Sequence, residues 1–372
     1  MVTKQIRHSN EYHKEDHSLQ FIPQYKLALQ VISRDYTPKK RQVIAQIYSL
    51  PTMKPLKAFS FTKEDKHFYY EESLPLLVRG QYAIIPIRQK VPEIVRLNYP
   101  RFANAEKCKL SLRLLPNLIQ KDFFSFDGQG SLKCYEYIPE YSKLLCSFGN
   151  ESIIISSSGH GGDWKFYELY EKGVGKISSL FYLNYMSMLF VATDIFVSIF
   201  QWPSLERTLH VKIDNGLTKK IDLEYEMGLI AVYGVQMMSK SSTIATNVDI
   251  FSINKDKKSG LPSLASTGFS KQIISDGVNA KRGQFEGYSK AFCFRDGERG
   301  SFDFYRWDPL ANAFVKKSLR TPDNLKIPNA IRIRTYRGMV YIFTLAIYSE
   351  YHQNIICIDS RRVFRTTNAV KL

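Results

Sequence analysis

The sequence has few cysteines, and they form neither a disulfide framework nor a metal-ligand pattern. Cys108, Cys134, Cys146, Cys293 and Cys357 are odd in number, lie far apart and include no Cys-x-x-Cys pair. Small secreted domains carry dense, even sets of cysteines, and zinc ribbons carry closely spaced pairs. The sequence therefore excludes both classes, and its cysteine usage favours an intracellular protein of the nucleus or the cytoplasm.

The sequence also lacks a secretory leader and an uninterrupted membrane span. Its first 20 residues are polar and have no apolar stretch of the kind that a signal peptide needs. The segment from Leu180 to Phe200 is strongly apolar, but Asn184 and Asp194 interrupt it. A charged residue inside a lone span costs about 2.5–3.5 kcal/mol. The segment is therefore interpreted as two strands joined near Thr193-Asp194, and no transmembrane segment is predicted.

Motifs of catalysis and cofactor binding are missing as well. The sequence contains no Gly-x-Ser-x-Gly, no His-Glu-x-x-His and no dinucleotide fingerprint. Gly173-Val174-Gly175-Lys176 resembles the end of a phosphate loop, but Tyr170 and Ile177 stand where that loop needs Gly and Ser or Thr. We therefore predict no enzymatic activity, no catalytic residues, no cofactor and no metal. An active site assembled from distant segments stays open as the alternative.

What the sequence does have is enough apolar and aromatic residues for a large β-rich core. It has 372 residues, of which 44% are hydrophobic and 13% aromatic. A chain of this length buries about three quarters of its unfolded surface without disulfides or metal, and aromatic residues favour strands. Helical periodicity over ten or more residues is nearly confined to Ala103–Gln120. The chain is therefore predicted to be all-β.

Internal repeats indicate how the strands are organised. Tyr48–Lys54 and Phe200–Glu206 share an aromatic residue, a polar residue, a large apolar residue, Pro and a hydroxyl residue, and Tyr305–Leu310 is a third copy with its Pro one place later. Looser copies begin at Phe251 and Ile356, so that the steps from Phe200 onward are 51, 54 and 51 residues. Steps of this size match propeller blades of roughly 40–50 residues and four strands.

Short apolar bursts form a second repeated element. Most of them follow turn-like polar clusters such as Pro139-Glu140-Tyr141-Ser142, and each precedes an alternating run that is typical of the next strand of a meander. The seven bursts are Lys26–Leu29, Pro75–Val78, Lys143–Cys146, Met188–Val191, Gly228–Ala231, Lys290–Cys293 and Gly338–Tyr341.

Together these features resemble the WD40-like β-propellers over nearly the whole chain, although Trp307-Asp308 is the sole Trp-Asp dipeptide. The resemblance implies a single seven-bladed β-propeller of four-stranded antiparallel blades over residues 21–372, closed by an N-terminal strand. Residues 1–20 are predicted to be a polar, flexible tail. The helical stretch is interpreted as an insertion near residues 98–135. A pair of unrelated β domains is the alternative.

The charge of the chain is strongly positive. The net charge is +17 and the pI is about 9.5. From Asn312 to the end there are 11 Lys and Arg but only 3 Asp and Glu. Such a charge attracts nucleic acid, anionic membranes or acidic protein surfaces.

Three basic clusters near the two ends of the chain are the candidate site. If the ends meet in one closing blade, these clusters come close together and form a contact surface for an acidic partner, with tyrosine as an aromatic anchor. Ordinary solvated loops are the alternative. The candidate residues are Lys39, Lys40, Arg41, Arg332, Arg334, Tyr336, Arg337, Arg361, Arg362 and Arg365.

The function predicted from these features is that of a non-enzymatic protein-interaction scaffold or adaptor subunit of an intracellular complex, including substrate-receptor roles. The alternative is a basic propeller associated with nucleic acid. An enzyme or a phosphoinositide-binding propeller is less favoured, since Phe294-Arg295-Asp296-Gly297 departs from the paired-Arg signature of the latter at its second Arg. The oligomeric state is not predicted.

Overall fold

Strands dominate the structure, which is a computed structural model. It describes residues 2–7, 16–37, 40–50, 52–60, 68–70, 74, 76–89, 107–126, 132–156, 165–170, 175–224, 228–237, 244–256, 260–275, 284–286, 291–296, 301–308, 311, 313–320, 331–336, 339–345 and 352–359. Within these ranges the other regular elements are single 3₁₀ turns at Pro23–Tyr25, Pro139–Tyr141 and Asn184–Met186. The prediction of an all-β chain is confirmed. None of the described residues belongs to a helix long and apolar enough to cross a membrane.

The chain divides into two compact units, which we call the N-unit and the C-unit. The N-unit comprises Glu11–Thr193 and Phe200–Glu206, and the C-unit comprises Met1–Asn10, Asp194–Ile199 and Arg207–Leu372. The strands form seven antiparallel sheets, which we number 1 to 7 along the chain, and six of them have four strands.

Sheets 1 to 3 belong to the N-unit, and their strands follow one another along the chain. Sheet 1 consists of β2 (Asp16–Ile22), β3 (Leu27–Thr37), β4 (Lys40–Ser49) and β5 (Lys54–Ser60). Sheet 2 consists of β6 (Phe68–Tyr70), β7 (Leu77–Arg79), β8 (Tyr82–Gln89), β9 (Lys107–Leu114) and β10 (Ile119–Ser125). Sheet 3 consists of β11 (Cys134–Ile138), β12 (Lys143–Ser147), β13 (Ser152–Ser156) and β14 (Lys165–Glu168).

The remaining sheets continue the same up-and-down order. Sheet 4 consists of β15 (Ile177–Leu183), β16 (Met188–Thr193), β17 (Phe196–Gln201) and β18 (Glu206–Lys212). Sheet 5 consists of β19 (Leu217–Glu224), β20 (Leu229–Met237), β21 (Ile244–Lys255) and β22 (Pro262–Ser275). Sheet 6 consists of β23 (Gln284–Glu286), β24 (Ala291–Asp296), β25 (Ser301–Asp308) and β26 (Ala313–Arg320). Sheet 7 consists of β27 (Ile331–Tyr336), β28 (Met339–Leu345), β29 (His352–Asp359) and β1 (Val2–Arg7).

Neighbouring sheets of the N-unit pack face to face, so that a middle strand is buried on both sides. In β8, Ile85 and Ile87 join the core shared with sheet 1, whereas Ile84 joins the core shared with sheet 3. In β12, Leu144 lies in the core with sheet 2 and Leu145 in the core with sheet 4. A strand buried on both faces has a continuous apolar run instead of an alternating one. This explains the apolar bursts in the second strands β3, β12, β16 and β20. Two further bursts lie in the second strands β24 and β28.

Two kinds of turn recur between the strands. The first hairpins of sheets 1 to 5 each contain a residue with positive φ of 50–62°: Lys26, Gly80, Ser142, Ser187 and Gly228. The turns after β4, β9 and β17 each donate a backbone N–H to a carbonyl of the first hairpin of the same sheet. The bonds run from Leu50 to Lys26, from Leu115 to Gln81 and from Trp202 to Ser187, each over 2.8 Å. The internal match between Tyr48–Lys54 and Phe200–Glu206 is confirmed as this second turn, and the sequence analysis missed its copy at Leu115.

The N-terminal residues correct one prediction and confirm another. Val2–Arg7 forms β1 and pairs antiparallel with β29. This is the N-terminal strand in the last sheet that the family resemblance implies. Asp16–Ile22 forms β2 and pairs with β3. Residues 1–20 are therefore not a tail where the structure describes them, because their polar side chains belong to strands whose backbone hydrogen bonds are made with neighbouring strands.

The helical interpretation of Ala103–Gln120 is wrong. Lys107–Leu114 is strand β9, which pairs with β8 and with β10. Its sequence alternates Lys107, Lys109, Ser111 and Arg113 with Cys108, Leu110, Leu112 and Leu114, which is the period-two pattern of a strand. The central part of the predicted insertion thus belongs to sheet 2, and residues 98–106 and 127–131 lie outside the described residues.

The strands predicted within Leu180–Phe200 are present. β16 ends at Thr193 and β17 begins at Phe196, so that Thr193-Asp194 lies at the turn between them. Every residue of β16 is buried.

The burst at Pro75–Val78 differs from the other six, because it leads into β7, the strand before the hairpin, and not into the strand after it.

Candidate functional site

The predicted basic residues are divided between two sheets. Lys40 and Arg41 begin β4 of sheet 1, whereas Arg332, Arg334 and Tyr336 lie in β27 of sheet 7. The other predicted residues, Lys39, Arg337, Arg361, Arg362 and Arg365, lie outside the described residues. The segment that joins the last sheet is Val2–Arg7 and not the loop at Lys39, so the structure does not bring the three clusters into one sheet. A contact surface made of these residues stays a prediction.

The structure instead brings together the first hairpin tips of sheets 1 to 4, which we call the tip row. Its members are Pro23–Lys26, Gly80–Gln81, Pro139–Ser142 and Asn184–Ser187. Gln24 Nε2 donates to the Gly80 carbonyl over 2.6 Å. A Cβ atom at Gly80 would lie 3.9 Å from Cγ of Pro139. Asn184 Nδ2 donates to Glu140 Oε1 over 3.4 Å. The four tips therefore form one continuous surface of the N-unit.

Three tyrosines are exposed along the tip row. The exposed fractions of Tyr25, Tyr141 and Tyr185 are 37%, 46% and 58%. Leu56 and Ile119, which follow the turns hydrogen-bonded to the tips of sheets 1 and 2, are exposed by 56% and 55%. Half of the ten exposed large hydrophobic side chains in the described part of the chain thus belong to this end of the N-unit. Clustered exposed apolar groups are typical of interaction surfaces.

A buried ion pair links the strands that carry three of these tips. Arg79 Nε and Nη2 donate to Glu136 Oε1 and Oε2 over 2.7 and 2.6 Å, and only 1% of the Glu136 side chain is exposed. The same carboxylate accepts the backbone N–H groups of Tyr137 and Tyr182. The Arg79 guanidinium lies 5.1 Å from the Phe181 ring centroid. Because Arg79 directly precedes Gly80, and Glu136 and Tyr182 lie shortly before their tips, this carboxylate positions the tips of sheets 2, 3 and 4.

Aromatic rings support the tips of sheets 3 and 4 from below. The Tyr141 ring lies edge-on to the buried Trp202, with 5.8 Å between centroids, and Tyr182 packs against the same Trp202 at 6.1 Å. Burial raises the pKa of Tyr182, a hydrogen bond with Ser187 acts in the opposite direction, and the neighbouring Tyr141 and Glu140 raise this pKa further. The exposed ring of Tyr141 is thus held by a packed neighbour and does not move freely in solvent.

The same tyrosine–serine contact recurs one sheet earlier. Burial raises the pKa of Tyr137, and so does Tyr82, while a hydrogen bond with Ser142 lowers it and Asp122 raises it. Ser142 and Ser187 are the positive-φ residues of their hairpins. In both sheets, therefore, a tyrosine of the first strand holds the last residue of its own tip.

Charges are few on the tip row and are separated along it. Within the row, Lys26 is exposed at the sheet 1 tip and Glu140 at the sheet 3 tip, and Lys54, Glu206 and Arg207 are exposed near the turns that hydrogen-bond to the tips. The positive charge of the chain is concentrated elsewhere. The C-unit has 28 Lys and Arg against 16 Asp and Glu, whereas the N-unit has 24 against 19.

Sequence reasoning missed the tip row because it searched for charge and catalytic motifs. A signal was present: a tyrosine directly precedes the positive-φ residue in Tyr25-Lys26 and in Tyr141-Ser142, and the sequence repeats this pair at Tyr288-Ser289. The ion pair had no such signal, because Arg79 and Glu136 are 57 residues apart. Among the described residues, no three His, Cys, Asp or Glu side chains are grouped as metal ligands would be.

Comparison with solved structures identifies the fold. The β-propeller domain of Cps50 (Swd1) from Myceliophteria thermophila matches with a TM-score of 0.57 and 12% identity over 95% of this chain and 97% of that domain. A proposed 6-phosphogluconolactonase from Bacteroides uniformis matches with a TM-score of 0.50 and 10% identity over 82% and 85%. Another from Bacteroides fragilis matches with a TM-score of 0.50 and 12% identity over 82% and 84%. No protein-family model and no curated protein sequence matches.

The chain has a β-propeller fold. At these identities the similarity shows the fold alone and not an activity, and the propeller prediction is confirmed to that extent. The described strands form seven sheets, and a ring of seven blades stays a prediction.

Proposed function

We propose that the chain is a non-enzymatic protein-interaction scaffold or adaptor subunit of an intracellular complex, and that the tip row is its docking surface for another protein. The observation that carries this proposal is the row itself: contacting hairpin tips present exposed tyrosines in three sheets. Tyrosine is enriched at the energetic hot spots of protein interfaces. Loops held by a rigid scaffold are the usual place for recognition. The repeat spacing of the sequence favours a propeller of the WD40-like kind with seven blades.

The charge of the C-unit supports a second candidate function, association with nucleic acid. The C-unit has an excess of 12 positive charges, and part of this excess is concentrated after Asn312. A phosphate backbone binds such surfaces without regard to sequence and with a strong dependence on salt.

The test compares the proteins recovered with variants of the full chain. The tagged chain is purified from host cells after nuclease treatment, and its partners are quantified by mass spectrometry. The variant Tyr25→Ser/Tyr141→Ser/Tyr185→Ser should lose the partners of the wild-type chain. The matched control is Phe166→Ser/Tyr167→Ser on β14, where the two aromatic side chains are exposed by 61% and 37%. This control should retain the partners.

Two results would overturn the proposal. The first is recovery of every partner at the wild-type amount by the tip variant. The second is loss of every partner on nuclease treatment alone, which would favour the nucleic-acid function. Circular dichroism of both variants shows whether the fold is retained, and we expect little change because the substituted side chains are exposed.

A further inference from the structure

The contacting tips of sheets 3 and 4 carry one carboxylate, Glu140, and two exposed aromatic residues, Tyr141 and Tyr185. Asn184 Nδ2 donates to Glu140 Oε1 over 3.4 Å, so the carboxylate of one tip is held by the first residue of the next tip. Tyr141 follows Glu140, and Tyr185 follows Asn184. The two tyrosines are exposed by 46% and 58%, and Glu140 is exposed as well. The two contacting tips thus carry all three exposed side chains, which together we call the patch.

This patch is held in place from beneath. Trp202 is 5% exposed and contacts Tyr141 edge-on, with 5.8 Å between the ring centroids. Tyr182 packs against the same Trp202 ring, with 6.1 Å between the centroids. A site whose side chains are already positioned loses less conformational entropy when a ligand binds.

The combination of an aromatic face with a carboxylate suits one class of ligand. The face of an aromatic ring attracts a cation, and Arg and Lys are the cations that proteins present. A carboxylate adds a charge-assisted hydrogen bond to the same group. We propose that Glu140, Tyr141 and Tyr185 form a recognition site for a Lys or Arg side chain of a partner protein. This proposal rests on the proposed function, because it names the chemistry of a partner that docks on the tip row.

The charges along the tip row indicate how the partner segment is oriented. Within the tip row, Lys26 at the sheet 1 tip repels a basic group and attracts an acidic one, whereas Glu140 has the opposite effect at the sheet 3 tip. The partner segment therefore carries its basic residue over the tips of sheets 3 and 4. A phosphate backbone does not fit the Glu140 carboxylate, which repels it.

The test uses a random-peptide library displayed on phage and selected against the immobilised full chain. On the wild-type chain, the selected peptides should be enriched in Lys or Arg at one position. On the Glu140→Lys variant this enrichment should disappear and Asp or Glu should replace it. The matched control is Glu168→Lys, which makes the same change at an exposed position of β14 and should select the wild-type peptides. No basic enrichment on the wild-type chain, or the same peptides on both variants, would overturn the proposal.

A selected peptide then gives a quantitative test by fluorescence anisotropy. Glu140→Gln should weaken its binding about fivefold, the upper range for an exposed ion pair. Tyr141→Leu, which keeps an apolar side chain, should weaken it about threefold. Replacing the basic residue of the peptide by uncharged citrulline should abolish the difference between wild type and Glu140→Gln. An unchanged difference contradicts a direct contact between the two charges.

The two proposals fail in distinguishable ways. If the tip variant loses its cellular partners but the library shows no basic preference, the scaffold function stands and the recognition of a basic side chain is wrong. If the tip variant keeps all of its partners, the docking surface itself is wrong.

Discussion

The N-unit and the C-unit are built from the same kind of sheet, but they differ in the side-chain contacts between their sheets and in their net charge. In the N-unit, sheets 2, 3 and 4 are tied through the buried carboxylate of Glu136. In the C-unit, sheets 5 and 6 meet where the half-buried Lys271 donates to the Tyr305 hydroxyl over 2.9 Å, beside the ring of Phe269. The net charges of the N-unit and the C-unit, counted from the sequence, are +5 and +12.

Under the proposed functions, this difference predicts two modes of recognition in one chain. A fixed row of tips with few, separated charges suits a partner of defined shape, and its specificity depends on how accurately the tips are held. A surplus of positive charge suits long-range attraction and depends little on geometry. Binding by the N-unit should therefore be sensitive to changes in the geometry of the tips, and binding by the C-unit should be sensitive to the salt concentration.

The largest effect is expected when the Glu136 carboxylate, which links sheets 2, 3 and 4 of the N-unit, is removed. Glu136→Ala leaves the Arg79 guanidinium without its bidentate partner and the N–H groups of Tyr137 and Tyr182 without their acceptor. Removing one partner of a buried ion pair costs about 3–5 kcal/mol. We expect the free energy of unfolding, measured with urea, to fall by about 3 kcal/mol. The loss lies at the lower end of this range because the Arg79 side chain is 20% exposed and water can solvate it. Glu140→Ala, at an exposed tip position, should cost under about 0.5 kcal/mol. Equal unfolding midpoints of the two variants would contradict the link.

The C-unit should be most sensitive to a steric change in sheet 5. A Cβ atom at Gly234 would meet the carbonyl and side-chain oxygens of Asn215, and would lie 2.7 Å from its carbonyl carbon. Asn215 is fixed there, since its Nδ2 donates to the Val232 carbonyl and its own carbonyl accepts from Asn247 Nδ2. Gly234→Ala should therefore cost about 1–3 kcal/mol through overpacking. Ser263→Ala at an exposed position of β22 is the control, and a thermal midpoint of Gly234→Ala equal to that of the control would refute this packing.

Charge reversal in the C-unit tests the contribution of its excess positive charge. Arg361→Glu/Arg362→Glu/Arg365→Glu should weaken binding to a DNA oligonucleotide and lower the slope of log affinity against log salt by roughly 1 per residue. The matched control reverses three exposed lysines of the N-unit, Lys57, Lys133 and Lys165. If the control lowers the slope equally, the excess charge of the C-unit does not determine binding.

The smallest effect concerns pH. Burial, and secondarily Arg207, lower the pKa of His210, whose Nδ1 lies 2.7 Å from Ser198 Oγ. The folded chain then binds this proton less readily than the unfolded chain, so stability falls as the pH drops below about 6.5 and levels off below the folded pKa. A slightly lower thermal midpoint at pH 5.5 than at pH 7.5 should result. His210→Gln should lose this part of the pH dependence, and an unchanged dependence would exclude His210 as its cause.

The repeats of the sequence predicted much of the fold, because they follow from local turn chemistry. The Pro-containing segments Tyr48–Lys54 and Phe200–Glu206 and the bursts at the second strands are local signals in the sequence. Lys107–Leu114 was misinterpreted because Leu110, Leu114 and Leu118 also recur at the four-residue spacing of a helix, which competes with the alternation of the strand. The resemblance implied a closing N-terminal strand, but its place at Val2–Arg7 was missed, because this segment is polar and pairs with a strand about 350 residues later.

The candidate site was harder to predict than the fold. Exposure of Tyr25, Tyr141 and Tyr185 depends on how the sheets pack, and contacts between tips, such as that of Gln24 with Gly80, join residues 56 positions apart. Basic clusters are visible in a sequence wherever they occur, but the pairing of β1 with β29 left Lys40 and Arg334 in different sheets.

Hydrogen–deuterium exchange on the complex recovered from cells tests the central claim most directly. The account predicts that the partner slows exchange of the backbone amides of Gln24–Lys26, Glu140–Ser142 and Tyr185–Ser187, while the edge strand Lys165–Glu168 exchanges as in the free chain. Unchanged exchange at all three tips, with protection confined to the C-unit, would contradict the tip row as the docking surface.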